Sequence, residues 1–243
     1  MSSPPRDPRV VVEPRARLNW NVVGAAVVVV AAALIAAALI GLFLALAIVV
    51  LGTIGALVAI RPRPDQLVDR LTRNAEQGAS PRVVNLASSV ATMTGSGEAE
   101  LHTIDADSIN IASIPRSGNG PVVVITRGAS ERLGVVEMEG LVAAALVRAT
   151  SGPLAAHCRD LSRLCSVGMP YDPDSLFADD AAAARVTRFP PALADAYAIA
   201  ASSGTVVPGE WSSMATVWLF DPSPPGGAVH PDIHDRITIL RES

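Results

Sequence analysis

The chain has 243 residues, a formal net charge of −4, 50% apolar residues and only 4% aromatic residues. This length and apolar content exclude a disordered tail, so we expect a folded protein. All 19 basic residues are arginines, and they are scattered rather than clustered into a basic face, so nucleic acid is not an expected partner. The alanine-rich composition without lysine indicates a bacterial source with a GC-rich genome.

The first part of the chain divides into a polar tail and a long apolar segment. Residues 1–19 contain four prolines and no periodic apolar pattern, which predicts a flexible tail. In residues 22–60 the only polar side chain is that of Thr53. A single helix over this segment would be about 58 Å long, whereas the hydrocarbon core of a bilayer is about 30 Å thick. We therefore predict two transmembrane helices, 22–40 and 42–60.

Arginines flank the apolar segment on both sides, four within residues 6–17 and four within residues 61–73. By the positive-inside rule both flanks favour the cytoplasm, which requires an even number of spans. Trp20 lies where an interfacial anchor is expected. A cleaved signal peptide is the alternative, but its apolar core would be shorter. We expect a multi-pass protein of the inner (cytoplasmic) membrane, with the lipid bilayer as a partner and with both termini and the soluble domain in the cytoplasm.

After residue 62 the apolar residues become periodic and predict one α+β domain. Helical spacing predicts helices over 66–76, 81–94, 134–150, 154–165, 175–187, 191–202 and 230–241. Short extended segments predict a small β-sheet, with a hairpin turn at 116–120 and strands at 100–104, 108–114 and 122–126. The predicted organisation is a tail (1–19), a transmembrane hairpin (20–61) and a cytoplasmic domain (62–243).

Several segments of this domain occur in an order that resembles one family. Val122–Arg148 resembles the block of the HtpX-like membrane zinc metallopeptidases in which a strand leads into the helix that carries H-E-x-x-H. The flanking segments follow the family's order. Asn85–Gly95 resembles a helix before the sheet, and Ile104–Ala112, which contains Asn110, resembles a first active-site strand. Asp180–Thr187 resembles an A-D-x-x-A-A-x-x-x-T segment, and His230–Ile237 resembles a terminal H-P-x-x-x-x-R-I helix. The superfamily includes the CAAX prenyl proteases. The resemblance implies a zincin-like helical domain with a small sheet behind a membrane hairpin.

The resemblance also implies where zinc ligands would lie. In that family two histidines one helical turn apart and a later glutamate bind Zn²⁺, and a second glutamate polarises the metal-bound water. In this chain those positions become Ala144, Arg148, Leu176 and Ala145. Apolar side chains cannot coordinate a cation, and an arginine stays protonated. The resemblance therefore predicts a pseudopeptidase without zinc or another cofactor, which retains only Asp180, the aspartate beyond the ligand set.

A charged pair is the predicted replacement for the metal. We expect Arg148 to project into the former zinc position and to pair with Asp180, or with Asp179, across the same two helices. The alternative is that Arg148 only ends its helix and interacts with the C-terminal dipole.

Other residues that could bind a metal or catalyse a reaction are few. A substitute metal site could use His157, Cys158, Cys165, His230 and His234, although Pro231 places His230 at a helix start, where the two rings need not share a face. Two cysteines are too few for a disulfide scaffold, so we expect them to be reduced and structural. No G-x-S-x-G motif occurs.

Loss of catalysis leaves binding as the expected function. We predict that the strand Val122, Val123, Val124, Ile125 and Thr126 pairs with an extended peptide, in a regulatory or scaffolding protein that binds a membrane protein or an active relative. An active membrane-bound endopeptidase or hydrolase with an atypical site, built from His230, His234, Asp179 and Asp180, is the alternative. A third hypothesis is oligomerisation of the hairpin through its small residues, Gly24, Gly41, Gly52 and Gly55.

Overall fold

The computed structural model describes residues 20–39, 42–59, 61–116, 118–163, 171–209, 211, 213–223 and 230–243. The helices are α1 (Trp20–Leu39), α2 (Leu42–Ala59), α3 (Pro64–Thr72), α4 (Pro81–Thr94), α5 (Arg127–Arg132), α6 (Val135–Thr150), α7 (Gly152–Leu161), α8 (Ser175–Thr187), α9 (Pro190–Ser203) and α10 (Ile233–Glu242). The strands are β1 (Ala75–Gln77), β2 (Glu100–Ile104), β3 (Ile111–Ile114) and β4 (Val122–Thr126), and a 3-10 turn covers Ala215–Val217.

The predicted two-helix transmembrane hairpin is wrong. In the described part of the chain no single helix combines the length and the apolar composition needed to cross a bilayer. By length and composition alone the bent pair of α6 and α7 meets the same criteria, although α6 is a buried core helix.

The helices α1 and α2 pack closely on each other. A Cβ atom on Gly52 would lie only 2.4 Å from a methyl carbon of Val29, so the absence of a side chain at Gly52 allows the two helices to approach each other. Gly24 and Gly55 have open space beside them, and Gly41, the predicted turn, lies outside the described residues. The outward side chains are exposed and apolar, so the pair carries a large unburied hydrophobic surface.

The sheet has four strands in the order β1-β2-β4-β3. β2 and β4 are parallel, and β3 and β1 pair antiparallel with β4 and β2, respectively. β4 is therefore hydrogen-bonded on both edges and all its residues are buried. The prediction that residues 122–126 bind a peptide by strand addition is wrong, because no free edge remains on this strand.

Both faces of the sheet are covered, which explains the unbroken apolar run of β4. Val123 and Ile125 belong to a core with residues of α4, α6, α8, α9 and α10, whereas Val122 and Val124 belong to a second core with residues of α3 and α7. The result is a mostly helical α+β domain around a small sheet. The prediction of strands at 100–104 and 122–126 is confirmed, but β1 and α5 were not predicted.

Local signals explain where the helices begin and end. In α4 the Ser80 side chain accepts a hydrogen bond from the backbone amide of Val83, and Gly95 ends the helix at φ +67°. α6 begins after Gly134 and ends at Ser151, where Gly152-Pro153 starts α7. Almost every residue of α6 from Met138 to Ala149 is buried, so the prediction of a central buried helix is confirmed.

Candidate functional site

The positions that resemble a zinc site lie on the buried sides of α6 and α8, where the two helices contact each other. Ala144, Ala145 and Leu176 are fully buried in one hydrophobic cluster. None of these side chains offers a lone pair to a metal, and Ala145 offers no carboxylate to activate water. The residues present at this place do not fit zinc.

Arg148 extends from the last turn of α6 into the interior, with 1% of its surface exposed. One terminal guanidinium nitrogen donates a hydrogen bond of 2.8 Å to the backbone carbonyl of Trp218. The other terminal nitrogen donates bonds of 2.6 Å to the carbonyl of Thr216 and 3.0 Å to the hydroxyl of Tyr171. Arg148 therefore binds peptide carbonyls instead of only ending its helix.

The predicted ion pair between Arg148 and Asp180 is wrong, and the named alternative partner, Asp179, is the acid that Arg148 approaches. The Nε atom of Arg148 lies 3.8 Å from an Oδ atom of Asp179, too far for a hydrogen bond. Burial raises the pKa of Asp179, and the opposing charge of Arg148 only partly offsets this rise. The contact is a weak electrostatic one.

Asp180 pairs with Arg236, which α10 supplies. The guanidinium donates hydrogen bonds of 2.7 and 2.8 Å to the two carboxylate oxygens of Asp180, a bidentate geometry, and a further bond of 2.7 Å to the carbonyl of Leu219. Tyr197 donates a hydrogen bond of 2.5 Å to the same carboxylate. Burial lowers the pKa of Arg236, but the Asp180 carboxylate outweighs this effect and raises the pKa above its ordinary value. This network joins α8, α9 and α10.

The described residues of the hypothetical substitute metal site have other contacts. The His230 ring donates to the Trp218 carbonyl at 2.9 Å, and burial lowers the pKa of His230 to about 4, so the ring is neutral at pH 7. His234 is exposed, and the His157 ring lies against Tyr171. Among the described residues no group of three histidines, cysteines, aspartates or glutamates could hold a metal ion.

Cys158 gives no sign of reactive chemistry. Cys158 is a buried free thiol, and burial raises its pKa to about 12, so it is not a thiolate at neutral pH. It lines a cavity of about 580 Å³ between α3, α7 and the turn after β3, together with Asp65, Arg116 and Arg159. Cys165 lies outside the described residues.

The alternative hydrolase site is not assembled either. Within the described ranges no hydrogen bond joins His230 or His234 to Asp179 or Asp180. The first histidine binds a carbonyl, and one aspartate is held by arginine and tyrosine.

Sequence reasoning missed the segment that contacts both arginines. Residues 215–220, here called the strap, lie between the predicted helices 191–202 and 230–241, where the sequence predicts no helix or strand. In the structure Trp218 forms an antiparallel bridge with Ala112 of β3, and the Leu219 amide donates to the Ile111 carbonyl at 2.8 Å. Bonds over about a hundred residues leave no local signal in the sequence.

The chain matches no protein-family model, and no curated protein matches it. The resemblance to HtpX-like peptidases therefore depends on the sequence segments alone.

Proposed function

We propose that this chain is a catalytically inactive relative of the HtpX-like metallopeptidases, which acts by binding other molecules and does not hydrolyse peptides. The buried guanidinium of Arg148 carries the proposal. It lies at the position that resembles a zinc-binding histidine, and its donors are committed to the carbonyls of Thr216 and Trp218.

Electrostatics make this position unsuitable for a divalent cation. A guanidinium stays protonated at every physiological pH, and a second cation a few ångströms away would be repelled strongly in a buried environment. Ala144 and Leu176 give no ligand atoms to offset that repulsion. Without a metal and without a base at Ala145, the residues have no means to activate water.

The pair of Asp180 and Arg236 supports the resemblance itself. The two residues come from separate segments, the one that resembles A-D-x-x-A-A-x-x-x-T and the one that resembles H-P-x-x-x-x-R-I. They lie 56 positions apart in the chain and form a bidentate contact. A shared structural role gives a reason why both segments are present although the zinc ligands are not.

We propose further that lipid is a partner and that it contacts the outer faces of α1 and α2. Large apolar side chains are exposed on both helices; for example, Val28 and Leu51 are 67% and 68% exposed. A contiguous apolar surface of this kind marks an interaction site. Since α1 and α2 carry no charged residue and expose apolar groups within residues 20–35 and 48–59, a hydrocarbon environment fits better than a single protein groove.

A proteolysis assay tests the loss of activity. The purified full chain, incubated with casein and excess zinc, should release no peptides above the background that remains with a chelator. Chelator-sensitive cleavage by the full chain, free of contaminating peptidases, would overturn the proposal.

Flotation on phosphatidylcholine vesicles tests the lipid contact. The full chain should float with the vesicles, and replacing Val28 and Leu51 by aspartate should reduce the floating fraction. Val84→Asp, at an exposed position of α4, is the matched control and should float like the unmodified chain. Equal flotation of all three proteins would contradict a lipid contact at α1 and α2.

A further inference from the structure

The outer edge of β3 is covered by the chain itself. β3 is the last strand of the sheet and pairs with β4 on one side only. On the other side lies the strap, which pairs with β3 through the bridge between Ala112 and Trp218 and through the amide of Leu219. An extended peptide that added to this sheet edge would have to take the place of the strap.

Side chains from four separate parts of the fold hold the backbone of the strap. Arg148 binds the carbonyls of Thr216 and Trp218, and His230 also binds that of Trp218. Arg236 binds the carbonyl of Leu219. Asn110 holds Phe220 through both its carbonyl and its amide, at 3.1 and 3.2 Å. These contacts recognise a main chain, which is how a groove recognises an extended peptide irrespective of its sequence.

We propose that the strap is a built-in plug, in which residues 215–220 occupy the peptide groove beside β3 and Arg148 is the positioning residue that latches them. This inference rests on the proposed function, because it says how the groove of an inactive peptidase relative is kept closed. Partners that bind as extended strands are therefore excluded from this edge of the sheet.

The packing of the strap indicates that the plug stays in place. Trp218 is completely buried, and its ring meets that of Trp211 edge to face at 5.1 Å. Phe220 packs its ring edge to face against Tyr197 at 4.9 Å. Release of the strap would expose both aromatic side chains and leave the guanidinium of Arg148 without its carbonyl partners, so the closed arrangement is strongly favoured.

Hydrogen exchange and peptide binding on the full chain test the plug together. In the unmodified chain the Leu219 amide should exchange as slowly as the amides of β4, through global unfolding only. In Arg148→Met its exchange should accelerate by about 100-fold relative to β4, because charge-assisted hydrogen bonds to two carbonyls are lost. Arg148→Lys, which retains one donor group, should recover part of the protection.

A labelled synthetic peptide with the sequence of residues 213–222 should bind Arg148→Met at least about tenfold more tightly than the unmodified chain, since the strap leaves the groove more often. A scrambled peptide should bind Arg148→Met more weakly than the native sequence, because only the native order places Trp218 and Phe220 against Trp211 and Tyr197. Arg159→Met, an exposed arginine of α7, is the control and should leave exchange and binding unchanged.

Two results would overturn the plug: a Leu219 amide that exchanges much faster than β4 in the unmodified chain, or strong binding of the peptide to that chain. If Arg148→Met fails to fold, these two measurements on the unmodified chain still decide. Neither result requires zinc or peptidase activity, so failure of the plug is distinct from failure of the proposed function.

Discussion

Two buried contacts between arginine and aspartate begin at neighbouring residues of α8, and they differ in how completely the charges are paired. Both arginines are 1% exposed. Arg236 forms a bidentate pair with Asp180, and the Tyr197 hydroxyl donates a further hydrogen bond to the same carboxylate. Arg148 approaches Asp179 only to 3.8 Å and directs its other donors to carbonyls of the strap.

The difference separates two uses of a buried cation. The pair of Arg236 and Asp180 is a saturated structural link among three helices, in which each charge neutralises the other. Arg148 is held mainly by backbone dipoles, and its carboxylate neighbour carries a raised pKa because burial outweighs the ion pair. At the position that resembles a zinc ligand, Arg148 binds backbone carbonyls.

Removing the saturated pair should have the largest effect. Arg236→Met leaves the carboxylate of Asp180 buried without its cation, so we expect a loss of about 3–5 kcal/mol in the free energy of unfolding. Urea denaturation monitored by circular dichroism measures this loss. Arg241→Met, on the exposed side of the same helix, is the control and should change stability by less than about 0.5 kcal/mol. Equal effects of the two substitutions would contradict the assigned role of Arg236.

Lowering the pH should destabilise the fold through protonation of His230, whose ring binds the strap. Burial lowers the pKa of this ring from 6.5 to about 4, so the folded state takes up its proton less readily than the unfolded state does. The stability from the neutral ring is therefore present above pH 6.5 and is lost as the pH falls to about 4. The loss attributable to this residue should be about 3 kcal/mol, at 1.36 kcal/mol per pKa unit.

The measurement is urea denaturation at several pH values for the unmodified chain and for His230→Gln, whose amide keeps a donor for the carbonyl of Trp218. As the pH falls from 6.5 to 4, the free energy of unfolding should decrease more in the unmodified chain than in His230→Gln. His234→Gln, at an exposed position of α10, should follow the unmodified chain. A constant difference across this pH range would show that His230 is not buried as a neutral ring.

Arg148→Met should have a smaller effect, a loss of about 2–3 kcal/mol, because three hydrogen bonds disappear while Asp179, whose pKa is already raised, can take up a proton. Urea denaturation measures the effect, with Arg159→Met as control. A loss larger than that of Arg236→Met would reverse the ranking of the two contacts.

Asp179→Asn should have the smallest effect, and in the opposite direction. Because the pKa of Asp179 is raised in the folded state, its charged form destabilises the fold at pH 7, and this penalty is relieved as the pH falls toward the unfolded value of 3.8. The neutral amide should therefore increase the free energy of unfolding by about 1 kcal/mol at pH 7 and by little at pH 4. Destabilisation at pH 7 would mean that Arg148 and Asp179 form a stronger pair than their separation indicates.

The sequence predicts those parts of the fold that have local signals. The helices over 81–94 and 175–187 begin and end where predicted, because a serine cap and apolar periodicity are local features. The apolar run of β4 predicts a strand, but it cannot tell a central strand from an edge. Nothing in the sequence of α8 indicates that the neighbouring residues Asp179 and Asp180 contact different arginines.

The contacts that define the site could not be predicted, because they join distant parts of the chain. Trp218 reaches β3 across more than a hundred residues, through bonds that involve its backbone rather than its side-chain type. The resemblance predicts that Arg148 projects into the interior, and the structure buries this side chain. Only the three-dimensional arrangement shows that its donors bind the strap.

The zinc content of the full chain tests the central claim most directly. The protein, purified without chelators and equilibrated with excess zinc, should retain far less than one zinc per chain by mass spectrometry after desalting. A crystal at the zinc absorption edge should show no anomalous density between α6 and α8. One zinc per chain, bound between Arg148 and Leu176, would contradict the account.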